Sequence, residues 1–84
     1  MYNLDFSNQA KNFLKKLDKQ DLDRFLNRLE NLQNNPIPSD AKFIGRDNGE
    51  MVFRYRIGKF RALYKVKEVQ KILLVTKIDK RDKV

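Results

Sequence analysis

The apolar positions of this chain change period twice, and each change marks a change of element. Tyr2, Leu4 and Phe6 alternate with Asn3 and Asp5, which predicts a short half-buried strand. Ser7 stands where a helix N-cap is wanted, its hydroxyl placed to accept from an unpaired amide of the first turn. Ala10, Phe13, Leu14 and Leu17 then recur at helical spacing and form an apolar stripe. Asp18 opens a second helix, with Asp21 near its positive end and a stripe of Leu22, Phe25, Leu26, Leu29 and Leu32. Asn34-Asn35-Pro36 stops it. Two helices joined this tightly are expected to pack as an antiparallel hairpin. Residues 35–50 read as a loop rich in Pro, Asp, Asn and Gly. Within it Lys42-Phe43-Ile44-Gly45 is expected to dip back toward the core through Phe43, and Asp47-Asn48-Gly49 to turn into the next strand.

Period two returns from Met51 to Val66. Gly58-Lys59 is a two-residue turn with glycine first, which suits a type II′ connection. That turn sets Ile57 opposite Phe60, Arg56 opposite Arg61, Tyr55 opposite Ala62 and Phe53 opposite Tyr64. The rings then share one face, as core aromatics, and Arg54, Arg56 and Arg61 share the other. Like charges opposite each other across a strand pair repel, so a sheet that accepts this arrangement has an anion to place there. Lys67 to Lys71 form a polar turn, and Ile72-Leu73-Leu74-Val75 is expected to be a central strand buried on both faces. The order is β-α-α-β-β-β. It predicts an α+β fold: one domain over residues 1–84, a small antiparallel or mixed sheet covered on one face by the helical hairpin, with a basic concave face left open. Lys65 extends the cations of that face.

Charge sharpens this picture. The net charge is +8, and residues 1–50 are neutral, with 8 Lys or Arg against 8 Asp or Glu. Residues 51–84 hold 11 Lys or Arg against Glu68, Asp79 and Asp82, and so carry the whole excess. A localised basic surface of this kind points to a polyanionic partner. The chain has no cysteine and no histidine, which removes disulfides, thiolate zinc sites and the commonest general base. No metal or other cofactor is expected. No apolar run is long enough to cross a membrane and the opening residues have no signal-peptide pattern, so a cytoplasmic protein is expected. Asp79 and Asp82 read first as partners balancing neighbouring Lys and Arg. A role as a base is the alternative.

The segment Phe53-Arg54-Tyr55-Arg56-Ile57-Gly58-Lys59-Phe60-Arg61-Ala62-Leu63-Tyr64 resembles a recurrent motif of the RelE/ParE toxin superfamily: aromatic-Arg-x-Arg-hydrophobic-Gly-x-aromatic-Arg-x-x-Tyr. Lys42-Phe43-Ile44-Gly45 ahead of the sheet and the tail Ile78-Asp79-Lys80-Arg81-Asp82-Lys83-Val84 are also similar to the family, whose tail reads Gly-His-Arg-x-x-Val-Tyr. The resemblance implies a toxin of a type II toxin–antitoxin module. In the RelE branch this is an endoribonuclease that cleaves mRNA in the ribosomal A site, inhibits translation and is held inactive in a hetero-oligomer with a RelB-like antitoxin. Carried over by motif, Arg54, Arg56, Arg61 and Arg81 are implied to carry the RelE-type activity, with Arg56, Arg61 and Arg81 as the catalytic residues. Arg54 and Lys65 on the open face, and Lys80 and Lys83 in the tail, are expected to bind RNA. Lys80 stands where the family has histidine. The family's tyrosine follows the position of Val84, and cleavage is expected to be impaired in a chain without it. With no histidine, catalysis would rest on orientation and charge stabilisation, with alignment supplied by the ribosome and little activity on free RNA. The ParE branch, which keeps the fold but poisons DNA gyrase, is the alternative. A basic nucleic-acid-binding module without toxicity is the third reading.

Overall fold

Ser7 and Asp18 cap the two helices as the sequence predicts. The Ser7 hydroxyl accepts from the Ala10 amide and the Asp18 carboxylate from the Asp21 amide. The computed structural model describes residues 1–80 and contains seven elements. They are β1 (Asn3–Phe6), α1 (Asn8–Lys15), α2 (Lys19–Asn34), β2 (Lys42–Asp47), β3 (Glu50–Ile57), β4 (Phe60–Lys67) and β5 (Ile72–Lys80). The strands form one mixed sheet in the order β1-β5-β4-β3-β2. β1 runs parallel to β5 and every other pair is antiparallel. Among the described residues no helix is long and apolar enough to cross a membrane.

The β3–β4 register is the expected one: Ile57 faces Phe60, Arg56 faces Arg61, Tyr55 faces Ala62 and Phe53 faces Tyr64. Gly58 adopts a φ of 59°, which the first position of the turn requires and which a residue with a Cβ adopts only under strain. Beneath the sheet Phe25, Leu29 and Leu32 of α2 and Ala10 of α1 are buried against Phe53, Tyr55, Phe60, Tyr64, Leu73, Val75 and Ile78. Phe60 packs edge-on against Phe13, and Phe53 stacks on Tyr64, both with centroids 5.5–5.6 Å apart. Tyr64 donates its hydroxyl to the Pro36 carbonyl at 2.7 Å, so its one polar atom is satisfied in the core.

Two stretches differ from the sequence reading. Lys42–Asp47 is not loop but an edge strand, antiparallel to β3, with its pairing shifted between Phe43 and Gly45. Phe43 does not reach the core; it is 52% exposed, although its ring packs on Phe53 at 5.6 Å. An edge strand can hold its ladder bonds while its outer side chains overhang the layer beneath. β5 lies inside the sheet as expected but is buried on one face only. Leu73 and Val75 are buried, while Ile72 and Leu74 are half-buried, because no layer covers the second face.

Leu29 is fully buried, so Leu29→Ala should cost about 2–5 kcal/mol in denaturant unfolding through lost contacts and the cavity left behind. A second expectation concerns Tyr64. Desolvation by the core, then the neighbouring Tyr55 and Asp40, push its hydroxyl well above the ordinary phenol value of 10.0. The folded chain therefore keeps this proton where the unfolded chain releases it, and stability should fall as pH rises past 10. Measured unfolding midpoints between pH 9 and 11 should decline for the native chain and decline less for Tyr64→Phe.

Candidate functional site

The open face is built by the same alternation that buries the rings. Val52, Arg54 and Arg56 of β3 and Arg61, Leu63 and Lys65 of β4 stand on it, and Arg56 is directly opposite Arg61. The face divides into two regions of different charge. Toward the Gly58 turn, a hollow of about 200 Å³ is lined by Ile44, Arg54, Arg61, Leu63, Lys77 and Asp79. Arg61 is loosely paired there, its Nε 3.7 Å from an Asp79 carboxylate oxygen. Neither Arg54 nor Arg56 has an ion-pair partner among the described residues. Arg54 and Arg61 thus line this hollow with one carboxylate, while Arg56, opposite Arg61, turns toward the neighbouring hollow beside Arg28 and Asp40. Guanidinium groups with so few local acids are suited to holding phosphate oxygens by paired donors.

At the other end, cations are spent on local acids. Lys65 lies 2.8 Å from Asp47 and 3.8 Å from Glu50, and Lys67 lies 3.0 Å from Glu50. The hydrogen bond that Lys65 donates to Asp47 outweighs desolvation and holds the ammonium above its ordinary value. Here Ile44, Val52, Leu63 and Thr76, together with Asp47 and Lys65, line a mainly apolar recess of about 460 Å³.

Around the edge of β3 the basic surface continues. β2 pairs with β3 only from Glu50 to Arg54. Beyond it a hollow of about 570 Å³ opens between Arg28, Asp40, Lys42, Arg54, Arg56 and Gly58. Arg28 is anchored by Asp40 at 3.1 Å and by the Tyr55 hydroxyl, which accepts from its Nη2 at 2.9 Å.

The structure thus gathers Arg54, Arg56 and Arg61 as expected and ties Lys65 to carboxylates. Lys80 faces Phe60 at the end of β5 and lines a groove with Phe13, Leu17 and Lys59 rather than the guanidinium hollow. Arg81 and Lys83 lie outside the described residues. Sequence reasoning missed Lys42, which stands opposite Arg54, and Lys77. Lys77 joins the hollow because β5 carries a bulge. Tyr64 faces Val75 and Leu63 faces Lys77, leaving Thr76 as the extra residue. The signal was present: Leu73, Val75 and Ile78 can share a buried face only if the alternation skips one residue. Past the bulge, where β1 has ended, the Gln9 side-chain amide takes the place of a neighbouring strand. It donates to the Ile78 carbonyl and accepts from the Ile78 amide, both at 2.9 Å. No group of acidic, histidine or cysteine side chains among the described residues is arranged to hold a metal ion.

A helical hairpin under a five-stranded mixed sheet is the fold of the RelE toxins. A chain of the archaeal RelE–RelB complex from Pyrococcus horikoshii OT3 matches with a TM-score of 0.87 at 24% identity, over 99% of this chain and 98% of that one. The isolated Escherichia coli RelE toxin matches with a TM-score of 0.79 at 20% identity, over 100% of this chain and 88% of that one. In sequence the chain is 35% identical over 82 residues to the putative toxin RelE1 of Methanocaldococcus jannaschii, covering 96% of this chain and 91% of that protein. Residues 4–84 match the family described as the ParE toxin of the type II toxin–antitoxin system parDE. The chain belongs to this RelE/ParE family of type II toxins.

The division of the face has a measurable consequence for polyanions. Arg56→Ala should lower the slope of log affinity against log salt for single-stranded RNA by about 0.7, the share of one phosphate contact. Lys65→Met should leave that slope nearly unchanged, because its charge is already shared with Asp47 and Glu50. Fluorescence anisotropy across a salt series checks both.

Proposed function

We propose that this toxin acts as a RelE-type endoribonuclease, cutting mRNA on the ribosome and so arresting translation. The observation that carries the reading is the guanidinium cluster of the open face. Arg54 and Arg61 line a hollow in which Asp79 is the one carboxylate, and Arg56 stands directly opposite Arg61 with no ion-pair partner among the described residues. Cleavage by the ribose 2′-hydroxyl passes through a phosphorane-like state whose extra negative charge needs fixed cations. Arg56 and Arg61 flank the site of that charge, and Arg54 holds the adjoining phosphate. Preorganised donors of this kind typically contribute a factor of about 10²–10³ in rate. Arg81, carried over from the family motif, completes the set, with Lys80 and Lys83 as outer contacts to RNA. The similarity to the putative toxin RelE1 supports the same branch.

A RelB-like antitoxin is the proposed partner, since homologous folds occur in the RelE–RelB complexes of Pyrococcus horikoshii OT3 and Escherichia coli. A basic surface that wraps from the open face around β3 to Arg28 offers such a chain a continuous track for acidic side chains. The ParE description of the matching family is the one observation that favours a gyrase poison instead.

The toxin added to a cell-free translation reaction separates the two. Primer extension should show new mRNA ends at A-site codons, and Arg56→Ala or Arg61→Ala should lower the cleavage rate by at least tenfold. Intact message together with arrested supercoiling would select the gyrase reading and overturn this one.

A further inference from the structure

We propose that Asp79 and Lys77 are the proton-transfer pair of the guanidinium hollow, a role that rests on the nuclease reading above. RNA cleavage needs a base for the 2′-hydroxyl and an acid for the departing 5′-oxygen, and the chain contains no histidine or cysteine. Arginine does not surrender its proton. Among the described residues lining the hollow, Asp79 is the one carboxylate and Lys77 the one ammonium.

Their placement follows from the bulge at Thr76. It turns Lys77 onto the open face opposite Leu63, and Asp79 follows two residues later opposite Arg61. Two residues of strand separate them by about 7 Å, so a phosphate seated between them has one group toward each side. In-line displacement puts the attacking and leaving oxygens on opposite sides of phosphorus, which matches that spacing. Asp79 is half-exposed and touches Arg61 at 3.7 Å, beyond hydrogen-bonding distance, so its oxygens can still take a proton. The charged groups around it are Arg61 on β4, Arg54 on β3 and Lys77 on its own strand. Gln9 locks the backbone of the intervening Ile78 from beneath. The Asp79 carboxylate takes the 2′-hydroxyl proton as that oxygen bonds to phosphorus. The bond from phosphorus to the 5′-oxygen breaks, and the 5′-oxygen takes its proton from Lys77. The products are a 2′,3′-cyclic phosphate and a 5′-hydroxyl, and both side chains are reset by proton exchange with water.

Single-turnover cleavage of a short mRNA on programmed ribosomes, with toxin in excess, tests the pair between pH 6 and 8. Asp79→Asn should lower the maximal rate by about 10²-fold at an unchanged half-saturating toxin concentration. Its rate should then climb about tenfold per pH unit as hydroxide replaces the carboxylate, while the native rate stays flat. Asp79→Glu should recover at least a tenth of the native rate. Lys77→Met should be similarly slow, and restored when sulfur replaces the bridging 5′-oxygen, since that leaving group needs no proton. A rate for Asp79→Asn within threefold of native, or a loss without the new pH dependence, makes Asp79 only an ion-pair partner of Arg61 and overturns the proposal. If the native toxin itself makes no cuts, the nuclease reading fails and the proton-transfer pair with it.

Discussion

The register of β3 against β4 decides both what this molecule buries and what it displays. A two-residue turn whose first glycine takes a positive φ admits one pairing, Ile57 with Phe60. Every later pair then follows by alternation, and a slip of one residue would exchange the two faces. In the observed register the rings of Phe53, Tyr55, Phe60 and Tyr64 enter the core. Arg54, Arg56 and Arg61 emerge together on the opposite side. Burial of the rings supplies the free energy that holds the guanidinium groups side by side against their mutual repulsion. Stability and the candidate site are thus two faces of one strand pair.

The second device is the bulge in β5. Without it, strict alternation would place Lys77 and Asp79 on the buried side with Leu73 and Val75. The extra residue restores Ile78 to the core and delivers both charged side chains to the hollow. Bulges of this kind re-aim side chains where a sheet carries chemistry. This one is supported from beneath by α1, whose N-cap serine also donates to the Thr76 carbonyl at 2.7 Å. The start of a helix and the aim of the site residues are thereby mechanically joined.

The same sheet face shows why net charge alone is a poor guide to a binding surface. Lysines at both ends of β4 and β5 contribute equally to the sum of +8. Near the β2–β3 turn, Asp47 and Glu50 neutralise Lys65 and Lys67. Near the Gly58 turn, Asp79 pairs loosely with Arg61 alone, and neither Arg54 nor Arg56 has an ion-pair partner among the described residues. A polyanion meeting this face is therefore drawn toward the turn end, and the neutral end offers it Ile44, Val52 and Leu63 instead.

The two capped helices, the hairpin register and the separation of rings from guanidinium groups are legible in the residues alone, because each follows from local spacing and turn chemistry. The family is legible there too, through the motif from Phe53 to Tyr64. Which strands lie side by side is settled by the folded chain. Lys42 reaches Arg54 because a segment read as loop pairs at the sheet edge, a contact whose driving force is a ladder of backbone hydrogen bonds and leaves little trace in side-chain pattern. Lys65 is tied to Asp47 and Glu50 across a strand pair, although 15 to 18 residues separate it from them along the chain. Lys77 and Asp79 reach the hollow through a skipped residue that hydrophobic spacing hinted at and packing enforced. Periodicity is a property of one strand, whereas a site is a property of neighbours, and neighbours are chosen by the fold.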